Sequence, residues 1–218
     1  MSRNMTEDFD PLQNDWVLWE HKANAPSGSG SSKNQHANQW KDNMNELAHF
    51  ATVQDFWRNF NHIPTPSQVF FDGECRKKVG PDQRTIEEFS LFKKGIEPEW
   101  GDPANANGGE WFCRQSLEGE LLDLYWQNLV LAVVGETIED AVSDKTDGGD
   151  VINGIRVLDK SRAYPMFKIE IWINTRDVSI REGIKDRLIE IMTDGQNAMG
   201  SNSRNKVHPK FDWKDHTP

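Results

Sequence analysis

Nine tryptophans and eleven phenylalanines are spread over 218 residues, and apolar residues of all kinds make up only 36% of the chain. No stretch approaches the roughly 18 consecutive apolar residues that a membrane-spanning helix needs. The core that such a chain closes therefore takes its bulk from ring side chains, not from long aliphatic runs. The length suits one ordinary domain, or one domain with long loops. Residues 1–218 read as that single domain. Within it, 1–10 and 195–218 are expected to be loose or loop-rich, and 22–39 and 74–88 to be flexible loops or insertions.

Local patterns divide the chain. Asp15-Trp16-Val17-Leu18-Trp19 reads as a first strand, rich in aromatic and branched residues. Glu46 to Ala51 alternates polar and apolar, as a half-buried strand does. Thr52 is a natural N-cap for a helix opening at Val53, with Asp55 in its first turn. Val69-Phe70-Phe71 is expected to be a short strand. Phe89 to Phe92, Glu110 to Arg114, Val151 to Leu158 and Phe167 to Ile173 read as further strands. Leu117 to Val134 and Val178 to Met192 carry apolar residues at helical spacing. The sum is about seven strands and three helices. Helices that follow groups of strands point to an α+β layer, not to alternating βαβ units.

Two of the tryptophans outside these elements lie between them, in polar loops. Trp40 lies in the polar stretch Asn38-Gln39-Trp40-Lys41, and Trp100 in Gly95-Ile96-Glu97-Pro98-Glu99-Trp100-Gly101. A ring in such a loop either packs back on the domain or receives a ligand with a π-face. Indole is the best aromatic partner for a cation, and single-stranded RNA is recognised by stacking its splayed bases on rings. The formal net charge of −10 argues against broad binding along nucleic-acid phosphates. It leaves room for one or two nucleotides over a local basic lip. Arg156 and Lys168, with Lys160 and Arg162 between them, form such a lip, or else are charges on a solvated strand face.

Catalysis has little support. The six histidines are scattered, no carboxylate pair stands out, and no Gly-rich phosphate loop, HExxH or GxSxG is present. Cys75 and Cys113 read as free thiols of a reducing compartment. No secretory signal follows Met1. Val53 and Trp57, four residues apart, share a helix face that either packs on the sheet or receives an amphipathic partner helix.

The ordered set of segments resembles the cap-binding translation initiation factor 4E family. It comprises Pro11-Leu12-Gln13-Asn14-Asp15-Trp16-Val17-Leu18-Trp19, Thr52 to Trp57, Ser90 to Trp100, Gly108-Gly109-Glu110-Trp111, Tyr125-Trp126 with Val134-Gly135-Glu136, and Lys168-Ile169-Glu170-Ile171-Trp172. The resemblance implies a strongly curved antiparallel sheet with about three helices on its convex face and a cap site on the concave side. It implies binding of the 7-methylguanosine cap of messenger RNA and no enzymatic activity. Trp40 and Trp100 would sandwich the methylated base, Trp172 would touch the methyl group, and Arg156 and Lys168 would hold the phosphates. Pro11, Val53, Trp57 and Leu131 would receive a helical scaffold protein of the initiation factor 4G type, or a 4E-binding regulator. No cofactor, metal or membrane is implied. The protein would be a monomer in the cytoplasm, with the nucleus also open to it.

Several positions depart from the family pattern. Gly101 stands where a glutamate usually accepts hydrogen bonds from the guanine edge, leaving Asp102 as the substitute. Glu110 stands where a basic residue is frequent near the phosphates. Asn128 stands where an acidic residue meets the partner. Extra residues occur around 74–88 and between Arg156 and Lys168. These departures describe a divergent paralogue. The alternative they allow is a weak or non-cap-binding form that acts as an interaction scaffold or translational repressor.

Overall fold

The computed structural model describes residues 9–24, 41–198 and 208–217; residues 1–8, 25–40, 199–207 and 218, and with them Trp40 and the Gly/Ser loop, lie outside. The chain order is β1 (Pro11–Lys22), β2 (Met44–Thr52), α1 (Val53–Phe60), α2 (Pro66–Val69), β3 (Lys78–Val79), β4 (Arg84–Lys93) and β5 (Gly109–Gln115). It continues through α3 (Gly119–Val134), β6 (Ile152–Asp159), β7 (Phe167–Ile173), α4 (Val178–Met192) and β8 (Asp212–Asp215). The strands form one antiparallel sheet ordered β2-β1-β4-β6-β7-β5-β8, with β3 paired to β4. Register shifts in β1 and β6 mark bulges, which bend strands and curve a sheet.

Alternation decides what each face carries. In β7, Phe-Lys-Ile-Glu-Ile-Trp-Ile, the four odd residues join the hydrophobic core together with α3 and α4. Lys168, Glu170 and Trp172 therefore point to the opposite face, free of the helices α1–α4, because successive side chains of a strand alternate. The core packs Trp16, Leu18, Phe89, Trp111 and Ile155 of the sheet against Tyr125, Trp126, Leu188 and Met192 of the helices. Among the described residues, no helix is long and apolar enough to cross a membrane.

The helix ends follow local chemistry. The Thr52 side chain accepts a hydrogen bond from Asp55 N at 3.1 Å and starts α1. Asp177 accepts from Ser179 N and Ile180 N at 2.9 and 3.1 Å and starts α4.

Three expectations need correction. Residues 69–71 are not a strand: Pro66 at the first turn and a Thr65/Gln68 capping box start α2 instead. Phe70 then stacks between Phe89 and Phe167 at 5.7 and 6.2 Å, so core packing decides the conformation. With α2, four α-helices are named among the described residues, and the region 74–88 contains β3 and the start of β4. Within 195–218, β8 adds to the outer edge of β5, where Trp213 packs on Trp111 with ring centroids 5.2 Å apart. That approach requires Gly109, since a Cβ there would lie 2.3 Å from the Trp213 ring.

Candidate functional site

The helix-free face carries Glu88 and Ser90 of β4, Arg156 of β6, Glu110 of β5, and Lys168, Glu170 and Trp172 of β7. Register sets Arg156 between Ser90 and Glu170, and Glu110 opposite Trp172. Arg156 Nε donates to Glu88 Oε1 at 2.7 Å, and its Nη1 donates to Glu170 Oε2 at 3.3 Å. Lys168 reaches forward along its strand, with Nζ 4.4 Å from the Phe112 ring centroid, and donates to Glu110 Oε1 at 2.9 Å. It also pairs with Glu170.

Every member of this network is mostly or fully buried, so the charges are held by one another. Burial pushes Glu88 up, but Arg156 outweighs it and holds the carboxyl below the usual range. Burial likewise opposes the charge of Arg156, and Glu88 and Glu170 raise it again. For Glu110, burial is outweighed by His216 and Lys168, which hold the carboxyl at about 2. Three acidic side chains thus face two basic ones. The two side chains expected to hold phosphates are already paired.

Above this floor lies a cleft of about 200 Å³ lined by Pro98, Glu99, Trp100, Arg156 and Trp172. Trp172 is fixed by its Nε1 donating to Glu170 Oε2 at 2.9 Å and by edge contact with Phe92 at 5.3 Å. Trp100 is braced by two residues near the end of the chain. Lys214 Nζ lies 3.8 Å from its ring centroid, and the His216 ring stacks on it at 6.0 Å and 19°. His216 is buried, lies 4.4 Å from Trp172, and its Nδ1 donates a hydrogen bond to the Asn105 carbonyl at 2.9 Å.

The Trp100 loop is stitched by its own polar side chains. Asn105 Nδ2 donates to the carbonyls of Glu97 and Glu99 at 2.8 and 3.0 Å. Both oxygens of Asp102 are occupied within the loop, accepting from Glu97 N and Ala104 N at 2.8 Å each. The position of Cβ at Gly101 opens onto free space. Trp40 is outside the described residues. Lys41, which follows it, pairs with Glu97 at 2.5 Å and Glu99 at 3.2 Å in the Trp100 loop.

Sequence reasoning had not found Glu88, Asn105, Glu170, Lys214 or His216. The strict alternation of β7 contains the signal for Glu170. The tail residues gave none, because their strand was not recognised.

On the opposite side, Val53 and Trp57 of α1 are 37% and 41% exposed. Pro11 pairs with Thr52, and Val53 N donates to Asp10 O at 2.9 Å, so the start of β1 adjoins α1. Leu131 is half-buried on α3 against the core. Asn128 is tied internally: its Nδ2 donates to the carbonyls of Ile191, Met192 and Asp194 at 3.0–3.2 Å, where α4 ends.

Comparison with known proteins adds a frame to this geometry. The family model described as eukaryotic initiation factor 4E matches residues 11–212. The chain is 30% identical over 185 residues to eukaryotic translation initiation factor 4E of Candida albicans, covering 84% of this chain and 73% of that protein. It is 34% identical over 181 residues to initiation factor 4E1 of Drosophila melanogaster, covering 81% of this chain and 56% of the fly protein. Other relatives are likewise covered for only about half to two-thirds of their length. Among solved structures, Ascaris suum eIF4E-3 with m7G cap is similar at TM-score 0.67 and 26% identity, over 96% of this chain and 92% of that one. Caenorhabditis elegans eIF4E-3 with the 4E-binding protein Mextli is similar at TM-score 0.63 and 26% identity, over 95% and 94%.

Proposed function

The chain belongs to the eukaryotic initiation factor 4E family, and we propose that it binds the 7-methylguanosine cap of messenger RNA in the cleft beside Trp100 and Trp172. It is a binding module of translation initiation and not an enzyme. The observation that carries this reading is the cleft itself. A braced indole and a second indole beneath it border a space of about 200 Å³ on the helix-free face. N7 methylation makes guanine cationic, so an indole face gains cation–π energy that plain guanine does not supply. Trp40 is the second wall of the sandwich in this proposal. The carboxylate-rich floor suits the positive ring. The cap complex of the similar Ascaris protein supports the same ligand.

The phosphate grip is weak in this proposal. Arg156 and Lys168 are its cations, but Glu88, Glu110 and Glu170 offset them. The guanine edge has no side-chain acceptor at Gly101, and Asp102 serves its own loop. Stacking therefore supplies most of the affinity. The paired cations also favour the second reading, a weak cap binder that acts mainly through its partner face. There we propose that Pro11, Val53, Trp57 and Leu131 receive an amphipathic helix of a scaffold or 4E-binding regulator.

Trp100→Ala tests the proposal. Removal of one stacking ring is expected to weaken binding of a 7-methylguanine nucleotide by about 1–3 kcal/mol. Unchanged affinity would place the ligand elsewhere. Wild-type protein that binds a helical 4E-binding peptide but no cap nucleotide would favour the second reading.

A further inference from the structure

Two segments, one around 74–88 and one between Arg156 and Lys168, meet in space. Arg76, in the first, pairs through Nε with Asp159 Oδ2 at 2.9 Å and donates through Nη2 to the Ser161 carbonyl at 2.9 Å, both in or beside the second. The buried Asp159 carboxylate also accepts from Ser161 N at 2.8 Å and Phe71 N at 3.1 Å. This knot holds the insertions as the walls of a groove of about 730 Å³ on the helix-free face.

The charge of the groove differs from that of the floor beside it. Five cationic side chains and three carboxylates line it, in a chain whose net charge is −10. The carboxylates are committed: Glu88 to Arg156, and Glu87 and Asp159 to Arg76. Among the described residues, Arg114, Lys160 and Arg162 have no ion-pair partner, and all three are exposed. Arg156 lines both this groove and the Trp100 cleft, so a chain leaving the cleft enters the groove. The four steps from Arg156 to Lys160, just past the end of β6, span about 13 Å at the usual rise. Tyr164, on the same insertion, is 61% exposed and offers a ring to an unstacked base.

We propose that this groove holds the phosphodiester backbone of the RNA nucleotides that follow the cap, with Arg114, Lys160 and Arg162 as the phosphate contacts. The inference rests on the cap-binding reading for the direction of the RNA. It gives the protein a longer footprint than the cap, with phosphate contacts beyond those of the neutralised floor.

The test compares three ligands: a cap dinucleotide, a capped single-stranded oligonucleotide of about five nucleotides, and the same oligonucleotide uncapped. Wild-type protein is set against the triple variant Arg114→Gln, Lys160→Gln, Arg162→Gln, whose positions are exposed. Wild type should bind the capped oligonucleotide roughly tenfold more tightly than the dinucleotide at low salt. The variant should lose that gain and keep its dinucleotide affinity. Its salt dependence should flatten by a slope of about 2, since each single-strand phosphate contact contributes about 0.7. Equal wild-type affinity for dinucleotide and capped oligonucleotide, or a variant that loses both alike, would overturn the groove. If the dinucleotide fails to bind while uncapped RNA binds and the variant releases it, the cap reading falls and the groove stands. If acidic peptide, but no RNA, competes for the groove, the proposal is wrong.

Discussion

Glu110→Gln replaces a buried carboxylate with an uncharged group of the same shape. Glu110 is 1% exposed, and although burial pushes its carboxyl up, His216 and Lys168 hold it at about 2 against 4.5 for a free glutamate. A shift of that size is worth about 3 kcal/mol, at 1.36 kcal/mol per pKa unit. Because the folded value is the lower one, the contribution is present above the unfolded pKa. It is lost as pH falls through about 4.5 toward 2. The amide of the variant imitates the protonated acid. In urea unfolding, wild type should therefore exceed the variant by about 3 kcal/mol near pH 7, and the gap should close on acidification. The same substitution relieves Lys168 of one of its two carboxylates. Affinity for 7-methylguanosine triphosphate should rise severalfold relative to that for the methylated nucleoside near neutral pH. A stability gap that stays constant from about pH 6 to about pH 2.5 would refute the assignment of Glu110 as an ionised partner of Lys168.

Asn128→Asp should destabilise the fold by about 1–3 kcal/mol, because a carboxylate would face the three carbonyls that now receive an amide; an unchanged urea midpoint would refute this. Asp102→Ala should loosen the Trp100 loop, weakening methylated and unmethylated guanine nucleotides in the same proportion, whereas Gly101→Glu should strengthen binding by supplying an edge acceptor; nucleotide titrations of both variants check this. Trp57→Ala should abolish capture of a helical 4E-binding peptide and leave cap affinity intact; capture equal to wild type would exclude α1 from the partner surface.

Much of this architecture was legible in the residue pattern, for identifiable reasons. The alternation of Phe167 to Ile173 and the cap at Thr52 are local signals that survive into the fold. The bounds expected for α4 hold because Asp177 caps one end and the apolar spacing stops at Met192. What escaped was set by packing. Phe70 reads as strand until Phe89 and Phe167 claim it. In Asp212-Trp213-Lys214-Asp215 a single ring among charges gives too little alternation to mark a strand, and it becomes one only on the exposed edge of β5. The site shows the same division. Trp100, Arg156 and Lys168 stand out by type and segment, and Trp172 through the family resemblance. The carboxylates that neutralise the two cations come from three different strands, and only the register brings them together. Asn128 looked like an altered partner contact and is in the structure a helix-end donor.

The most direct test of the account is a tryptophan-fluorescence titration of wild-type protein with 7-methylguanosine triphosphate and with unmethylated guanosine triphosphate. Saturable quenching by the methylated nucleotide is expected, with affinity about tenfold or more above the unmethylated one. That ratio corresponds to roughly 1.4 kcal/mol, within the range of a partly desolvated cation–π contact. Equal affinity for the two nucleotides, or no binding of either, would contradict a cap site at Trp100 and Trp172.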